Sequence, residues 1–236
     1  MNTYAITKDN LPSFAYTNEK IVSLPIRSVV LDFHGLNMNQ MLSEPSERSV
    51  FYAQNGVLHV IPYDNPWSWM NDTAVQMTDC IVDAVYARLG LSPAVPLIST
   101  GGSMGGLSAL SYTVRTRHKV AACAANCPVC DLVFHYTERP DLPRTILSAF
   151  WGEDAAEQIL RVSPLHRVDD FPDIPYYIVH GEADQAVNLQ KHSLPLVNAM
   201  QKRGLNVTFD RVPNMQHCAL EGDALCRYYD FVLSVR

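Results

Sequence analysis

The chain alternates short apolar runs with longer stretches in which apolar residues recur every three or four positions. Runs of the first kind read as buried strands, and stretches of the second kind as helices laid against them. Residues 28–34, ending at Gly35, and 57–61, stopped by Pro62, are strands on this pattern, as are 96–100, 119–125, 175–181 and 206–212. Met70, Ala74, Met77, Ile81, Val85 and Leu89 predict a helix over 69–89, with Gly90 as its stop. Further helices are expected over 107–117 and 219–232, and in the stretch that ends near Gly204, where Pro195 marks either a kink or a late start after Ser193. Strand–helix alternation of this kind implies a mostly parallel central sheet with helices on both faces. Residues 129–172 break the alternation between the strands near 120–126 and 175–180. They are rich in Pro, Asp, Arg and aromatics, with a helical stretch near 155–161. An insertion of that length sits over a site or at an edge, so a single domain over 1–236 with a cap-like insertion is expected.

Composition narrows the function. The chain has 236 residues, 47% of them apolar, enough for a substantial core. Only 18% are charged and the net charge is −6, which argues against a nucleic-acid partner or a broad phosphate-binding surface. No run of eighteen apolar residues occurs, so no membrane span is expected. The opening residues 1–8 lack a basic stretch followed by an apolar one, and the expectation is cytoplasmic. Six cysteines are present and are expected to be free thiols. Cys127-Pro128-Val129-Cys130 has the C-x-x-C form, but it follows a mid-chain apolar run, and no second pair completes a four-cysteine zinc site.

The chemistry concentrates at Gly101-Gly102-Ser103-Met104-Gly105-Gly106, which contains G-x-S-x-G. A strand precedes it and a helix follows. A sharp strand-to-helix turn of that type pushes its serine into a site and requires small neighbours. A Walker loop would end in Gly-Lys-Ser/Thr, and the dinucleotide spacing fails here. The N–H of Met104, at the start of the following helix, is a candidate oxyanion donor. His34-Gly35-Leu36-Asn37 follows an earlier strand, and the N–H of Leu36 is the candidate second donor. A serine hydroxyl needs a base, and the base needs an orienting carboxylate, in the chain order acid then histidine. His180-Gly181-Glu182-Ala183-Asp184 ends a strongly apolar strand. The turn favours Asp184 over Glu182, and Asp210 interrupts a strand. Only His192 and His217 follow Asp184. His192 reads as a solvated histidine on a helix flank, whereas His217 lies in a loop before the last helix and is the candidate base.

These motifs resemble the α/β-hydrolase superfamily, and within it the catalytic domain of the prolyl oligopeptidase (S9) group with its dienelactone-hydrolase-like and acyl-esterase relatives. The glycine pair after Ser103, the run from His180 to Val187 and the late His217 carry the likeness, which covers about residues 26–235. The resemblance implies the α/β-hydrolase fold and a Ser103–His217–Asp184 hydrolase. The chain as given has no room for a gating propeller and no evident upstream glutamate pair, so a carboxylic ester of small or medium size is expected ahead of a short peptide.

Around the site, Tyr63, Trp67 and Trp69 form an aromatic wall, or else the two tryptophans staple the next helix. In the insertion, His135 is a candidate substrate contact, and Glu138, Arg139 and Arg144 contact substrate or form surface ion pairs. No H-E-x-x-H occurs, so no metal and no cofactor is expected. The expected partner is a small ester or peptide, with self-association left open. The competing readings are an S9-type peptidase and a non-catalytic binding module on the same fold.

Overall fold

The computed structural model describes residues 5–38, 42–152 and 154–235. Residues 1–4, part of the segment read for a signal sequence, lie outside them. Seven strands form one sheet in the order β1-β3-β2-β4-β5-β6-β7. They are β1 (Ala15–Thr17), β2 (Ser28–Phe33), β3 (Val57–Pro62), β4 (Leu97–Gly102), β5 (Val120–Asn126), β6 (Tyr176–Gly181) and β7 (Val207–Val212). Every neighbouring pair is parallel except β1–β3. The helices are α1 (Glu47–Gln54), α2 (Asp72–Leu89), α3 (Met104–Arg115), α4 (Leu132–Glu138), α5 (Leu142–Ala149), α6 (Ala155–Val162), α7 (Ser193–Lys202) and α8 (Gly222–Ser234).

Both faces of the sheet are covered. Leu31 and Phe33 of β2 pack into a core with Ile81 and Val85 of α2 and Leu107 and Leu110 of α3. Val30 turns the other way, into a second core with Tyr52 of α1 and Tyr228 and Val232 of α8. That two-sided burial is why the central strands read as continuous apolar runs. This is the α/β-hydrolase arrangement. The insertion between β5 and β6 folds as α4, α5 and α6 followed by a 3-10 stretch, Pro164–Asp170.

Three helix starts differ from the expectation. The helix expected from residue 69 begins at Asp72, because Trp69 and Met70 take left-handed backbone (φ 45° and 51°) and Asn71 caps the helix by accepting from the Ala74 N–H. Gly90, at φ 60°, ends it as expected. The next helix begins at Met104 rather than 107, directly off Ser103, and the last at Gly222 rather than 219. Strand β1 and helix α1, whose N-cap Ser46 accepts from Ser49 N–H, were not in the sequence pattern.

Candidate active site

Ser103 stands between β4 and α3 with φ 59° and ψ −123°, a strained conformation for a residue with a side chain. Close packing imposes the turn. A Cβ on Gly105 would lie 2.0 Å from Phe33 O, and one on Gly101 would lie 2.3 Å from Gly105 O. Both contacts are to backbone and neither can yield. Gly35 is also close, its Cβ position 4.0 Å from Ser103 Cβ, so the loop after β2 runs directly beside the serine. The Leu36 and Met104 N–H groups have no backbone acceptor among the described residues.

Asp184 lies beyond β6, with its side chain fully buried. Its Oδ1 accepts from the N–H groups of Ala186 (2.8 Å) and Val187 (3.0 Å). Its Oδ2 accepts from His217 Nδ1 at 2.7 Å, with His180 Nε2 at 3.3 Å. Burial alone would raise the pKa of Asp184. Hydrogen bonds from His180, His217 and the two amides override it and hold the carboxyl well below the usual carboxylate range. Burial likewise works against protonation of His217, but the Asp184 carboxylate and the Cys127 sulfur outweigh it and push the imidazole up to about 9. Cys127 is fully buried and its own pKa is raised, so it stays a neutral thiol, and Asp184 is the partner that acts at neutral pH.

In the neutral imidazole, Nδ1–H of His217 is committed to Asp184 and the lone pair lies on Nε2; below a pH of about 9 the ring takes up a proton there. Ser103 and His217 line the same cavity, of about 1150 Å³. No hydrogen bond joins Ser103 Oγ to His217 Nε2 among the described residues; the neighbour of Nε2 is Cys218 Sγ, at 3.8 Å. Hydroxyl–imidazole bonds of this kind are often open in a free site and tighten when substrate fills it. The competing carboxylates have other partners: Glu182 pairs with Arg211 (2.6 Å), and Asp210 with Arg227 and Tyr177.

Leu36, Tyr63, Trp69 and His135 line the cavity, whereas Trp67 does not. The left-handed turn at Trp69 and Met70 drives Trp69 inward, where its Nε1–H donates to Thr145 Oγ1 (3.2 Å). Trp67 is left half-buried against the core. His192 is not a solvated flank histidine. It is fully buried, its Nδ1 accepts from the Cys130 and Asp131 N–H groups (both 3.1 Å), and its Nε2 donates to Glu138 (2.9 Å). Glu138 also pairs with His135, so it is held in the interior rather than in a surface ion pair; Arg139 pairs with Asp141. The pairing of His34 with Asp64 was not legible in the sequence. His34 Nδ1 donates to Gly35 O (2.9 Å) while Nε2 meets Asp64, and despite burial the carboxylate raises its pKa. Asp64 in turn accepts from Ser68 Oγ at 2.6 Å, so the loop carrying Leu36 is tied to the loop after β3.

Among solved structures, a puromycin-hydrolysing peptidase of Mycobacterium tuberculosis is similar over 90% of this chain and 34% of its own, at 16% identity and a TM-score of 0.74. Porphyromonas gingivalis dipeptidyl peptidase 4 is similar over 93% of this chain and 32% of its own, at 19% identity and a TM-score of 0.70. The chain therefore spans about a third of the length of these peptidases. Esterase PE8 matches over 91% of this chain and 95% of its own, at 17% identity and a TM-score of 0.60. These likenesses bear on the fold. A comparison with curated protein sequences finds no match. No helix among the described residues is long and apolar enough to cross a membrane. The model of the prolyl oligopeptidase family matches residues 73–234, a span that includes Ser103, Asp184 and His217. On that match, the chain belongs to the prolyl oligopeptidase family, peptidase family S9.

Proposed function

We propose that this S9-family hydrolase cleaves small or medium carboxylic esters through an acyl-enzyme formed on Ser103. The observation that carries the reading is the Asp184–His217 bond of 2.7 Å, which in the neutral imidazole puts the lone pair on His217 Nε2, at the wall of the cavity that Ser103 also lines. His217 takes the hydroxyl proton as Ser103 Oγ attacks the carbonyl, then returns it to the leaving alcohol. Asp184 fixes the tautomer and stabilises the imidazolium. The Leu36 and Met104 N–H groups receive the charge that develops on the carbonyl oxygen, with the dipole of α3 behind Met104. Tyr63, Trp69 and His135 form the wall against which the acyl or leaving group rests. A single chain over the full span 1–236, with the insertion as a partial cap, is the domain arrangement this reading uses.

Two observations bear on the substrate. Esterase PE8 is among the solved structures with this fold, which supports an ester substrate. The family match keeps a peptidase as the second reading. The test has two steps. A fluorophosphonate should label the chain at Ser103, and Ser103→Ala should abolish both labelling and hydrolysis. Matched nitrophenyl ester and proline nitroanilide substrates then decide the class. A higher kcat/KM on the anilide would replace the esterase with the peptidase, and inertness to the probe would leave a binding module.

A further inference from the structure

The C-x-x-C pair does not act as a pair. Cys130 Sγ is buried and donates to Pro128 O (3.4 Å). Cys127 faces away from it, toward a cysteine 91 residues later: the Cys218 N–H donates to Cys127 Sγ at 3.4 Å. Cys127 and Cys218 flank His217, and the three donor atoms lie within 4.8 Å of one another. Both cysteines take left-handed backbone, at φ 45° and 56°, where glycine or asparagine would be cheaper. Strain kept at two non-glycine positions that converge on one imidazole points to a use for the two sulfurs.

Two other groups of donors come as close together, Cys127–His180–Asp184 and His135–Glu138–His192. In the first the histidine lone pairs are taken, and in the second both histidines meet the same Glu138 oxygen, which is already satisfied without a metal. His180 Nε2 donates to Val187 O (3.0 Å), and its Nδ1 faces Ser193 Oγ (2.7 Å). The Nδ1 of His192 is taken by two amide donors, so its Nε2 carries the proton. In the third group the proton inventory runs the other way. Asp184 holds a proton on His217 Nδ1, so Nε2 is the atom that carries the lone pair of the neutral imidazole, beside the two sulfurs.

We propose that Cys127 Sγ, Cys218 Sγ and His217 Nε2 form a site for a thiophilic divalent cation such as zinc, and that occupancy switches the hydrolase off. A tetrahedral zinc with bonds of about 2.3 Å to sulfur and about 2.05 Å to nitrogen holds a sulfur and a nitrogen roughly 3.5 Å apart. Cys218 Sγ and His217 Nε2 already stand 3.8 Å apart, so small side-chain movements close the site. His217 and Cys218 line the cavity, which gives the cation its route in and leaves a fourth position for water. Binding releases to solvent one proton from each thiol, and the Nε2 proton where the imidazole is protonated, and forms two metal–thiolate bonds and one metal–imidazole bond. The same Nε2 lone pair must accept the Ser103 proton, so metal and catalysis exclude each other. The inhibitory half rests on the proposed function; the binding half does not.

The test uses chelator-treated Ser103→Ala protein, in which metal binding is read without hydrolysis. One equivalent of Co2+ should give a thiolate-to-cobalt charge-transfer band, and Zn2+ should bleach it by displacement. Mg2+, which prefers oxygen ligands, should do neither. Cys218→Ser, Cys127→Ser and His217→Gln should each weaken Co2+ binding on the order of 100-fold or more, at or beyond what loss of a supporting contact costs. Circular dichroism checks that each variant is folded, and Cys80→Ser/Cys226→Ser, which removes the two thiols outside the site that are not buried, should leave the spectrum intact. In the parental chain, Zn2+ should block fluorophosphonate labelling with the midpoint at which it displaces Co2+. Absence of the charge-transfer band, or its persistence in the folded Cys127→Ser/Cys218→Ser protein, would overturn the site. Tight zinc binding with undiminished labelling would overturn the exclusion of catalysis by metal.

Discussion

Asp184→Asn should disable the site through the tautomer of His217, and the structure says which way the new amide must face. The Oδ1 position receives two backbone donors, Ala186 N–H at 2.8 Å and Val187 N–H at 3.0 Å. Neither can become an acceptor, so an NH2 group placed there would oppose two fixed N–H groups. The Oδ2 position faces His217 Nδ1 at 2.7 Å and His180 Nε2 at 3.3 Å. His217 can surrender its Nδ1 proton, and His180 Nε2–H already has Val187 O at 3.0 Å as an acceptor. The amide oxygen therefore stays on the backbone donors and the NH2 turns to His217. Donation from that NH2 to Nδ1 moves the proton to Nε2, the atom that must receive the proton of Ser103. The rate loss expected from such a change is about 10⁴-fold. Stability should change far less. The two amide bonds lose their charge assistance, on the order of 1–2 kcal/mol, a fall of roughly 2–8 °C in Tm for a chain of this size. Ester hydrolysis and thermal unfolding of the purified variant measure both. A folded Asp184→Asn enzyme within tenfold of the parent would refute the assignment of Asp184 and the orientation argued for its amide.

Gly105→Ala forces a Cβ to within 2.0 Å of Phe33 O and 2.8 Å of His34 O, so α3 and the loop carrying Leu36 must separate. Overpacking of this kind costs about 1–3 kcal/mol, and spoiling one oxyanion donor costs kcat on the order of 10²–10³; an alanine variant of parental Tm and kcat would contradict the packing. In metal-free enzyme, assayed with a chelator present, kcat/KM should fall on the acid side as His217 takes up a proton. Because Asp184 raises that pKa, the midpoint should lie above the ordinary histidine value of about 6.5, toward the value of about 9; an acid limb at or below 6.5 under rate-limiting chemistry would count against the pair. Ser103→Gly should be more stable than Ser103→Ala, the reverse of the usual order, because glycine relieves strain on the order of 1–3 kcal/mol against an entropic cost of about 0.5–1 kcal/mol. Calorimetry of the two variants decides it, and a lower Tm for the glycine variant would remove the strain from the argument.

The parts of the molecule legible in its sequence are those whose cause is local. Central strands such as Ser28–Phe33 and Val120–Asn126 are buried on both faces and read as apolar runs. The fold around Ser103 was legible because a strand–glycine–serine–glycine–helix order leaves few alternatives, and residues 184 and 217 follow from the order of acid and base. Strand Ala15–Thr17 has only three residues and carries no period. Helix Glu47–Gln54 buries Ser49, Tyr52 and Ala53, only one of them large and apolar, too few for a helical period to show. His192 looked solvated beside Gln190 and Lys191. Its burial depends on Glu138, 54 residues earlier in the insertion. The nearness of Cys127 to Cys218 was not legible, since it is set by how the loop after β7 crosses the end of β5.

The same division explains where the backbone departs from local preference. Among the described residues, seven non-glycine positions have positive φ: Asn37, Trp69, Met70, Ser103, Cys127, Asn214 and Cys218. Asn37, Trp69, Ser103 and Cys218 line the cavity, and Met70 adjoins Trp69 in the same turn. Cys127 lies within 4.8 Å of His217 and Cys218, and Asn214 is on the loop that carries His217. Left-handed backbone at a residue with a side chain persists only where the surroundings over-determine it. Asparagine tolerates it, but tryptophan, methionine and cysteine do not do so readily. A sequence pattern that scores local preference must therefore misplace these segments, as it did at the start of α2. The strain falls at and beside the cavity that Ser103, His217 and Cys218 line. The close backbone packing at Gly101 and Gly105 and the two cores behind the sheet are what hold those groups there.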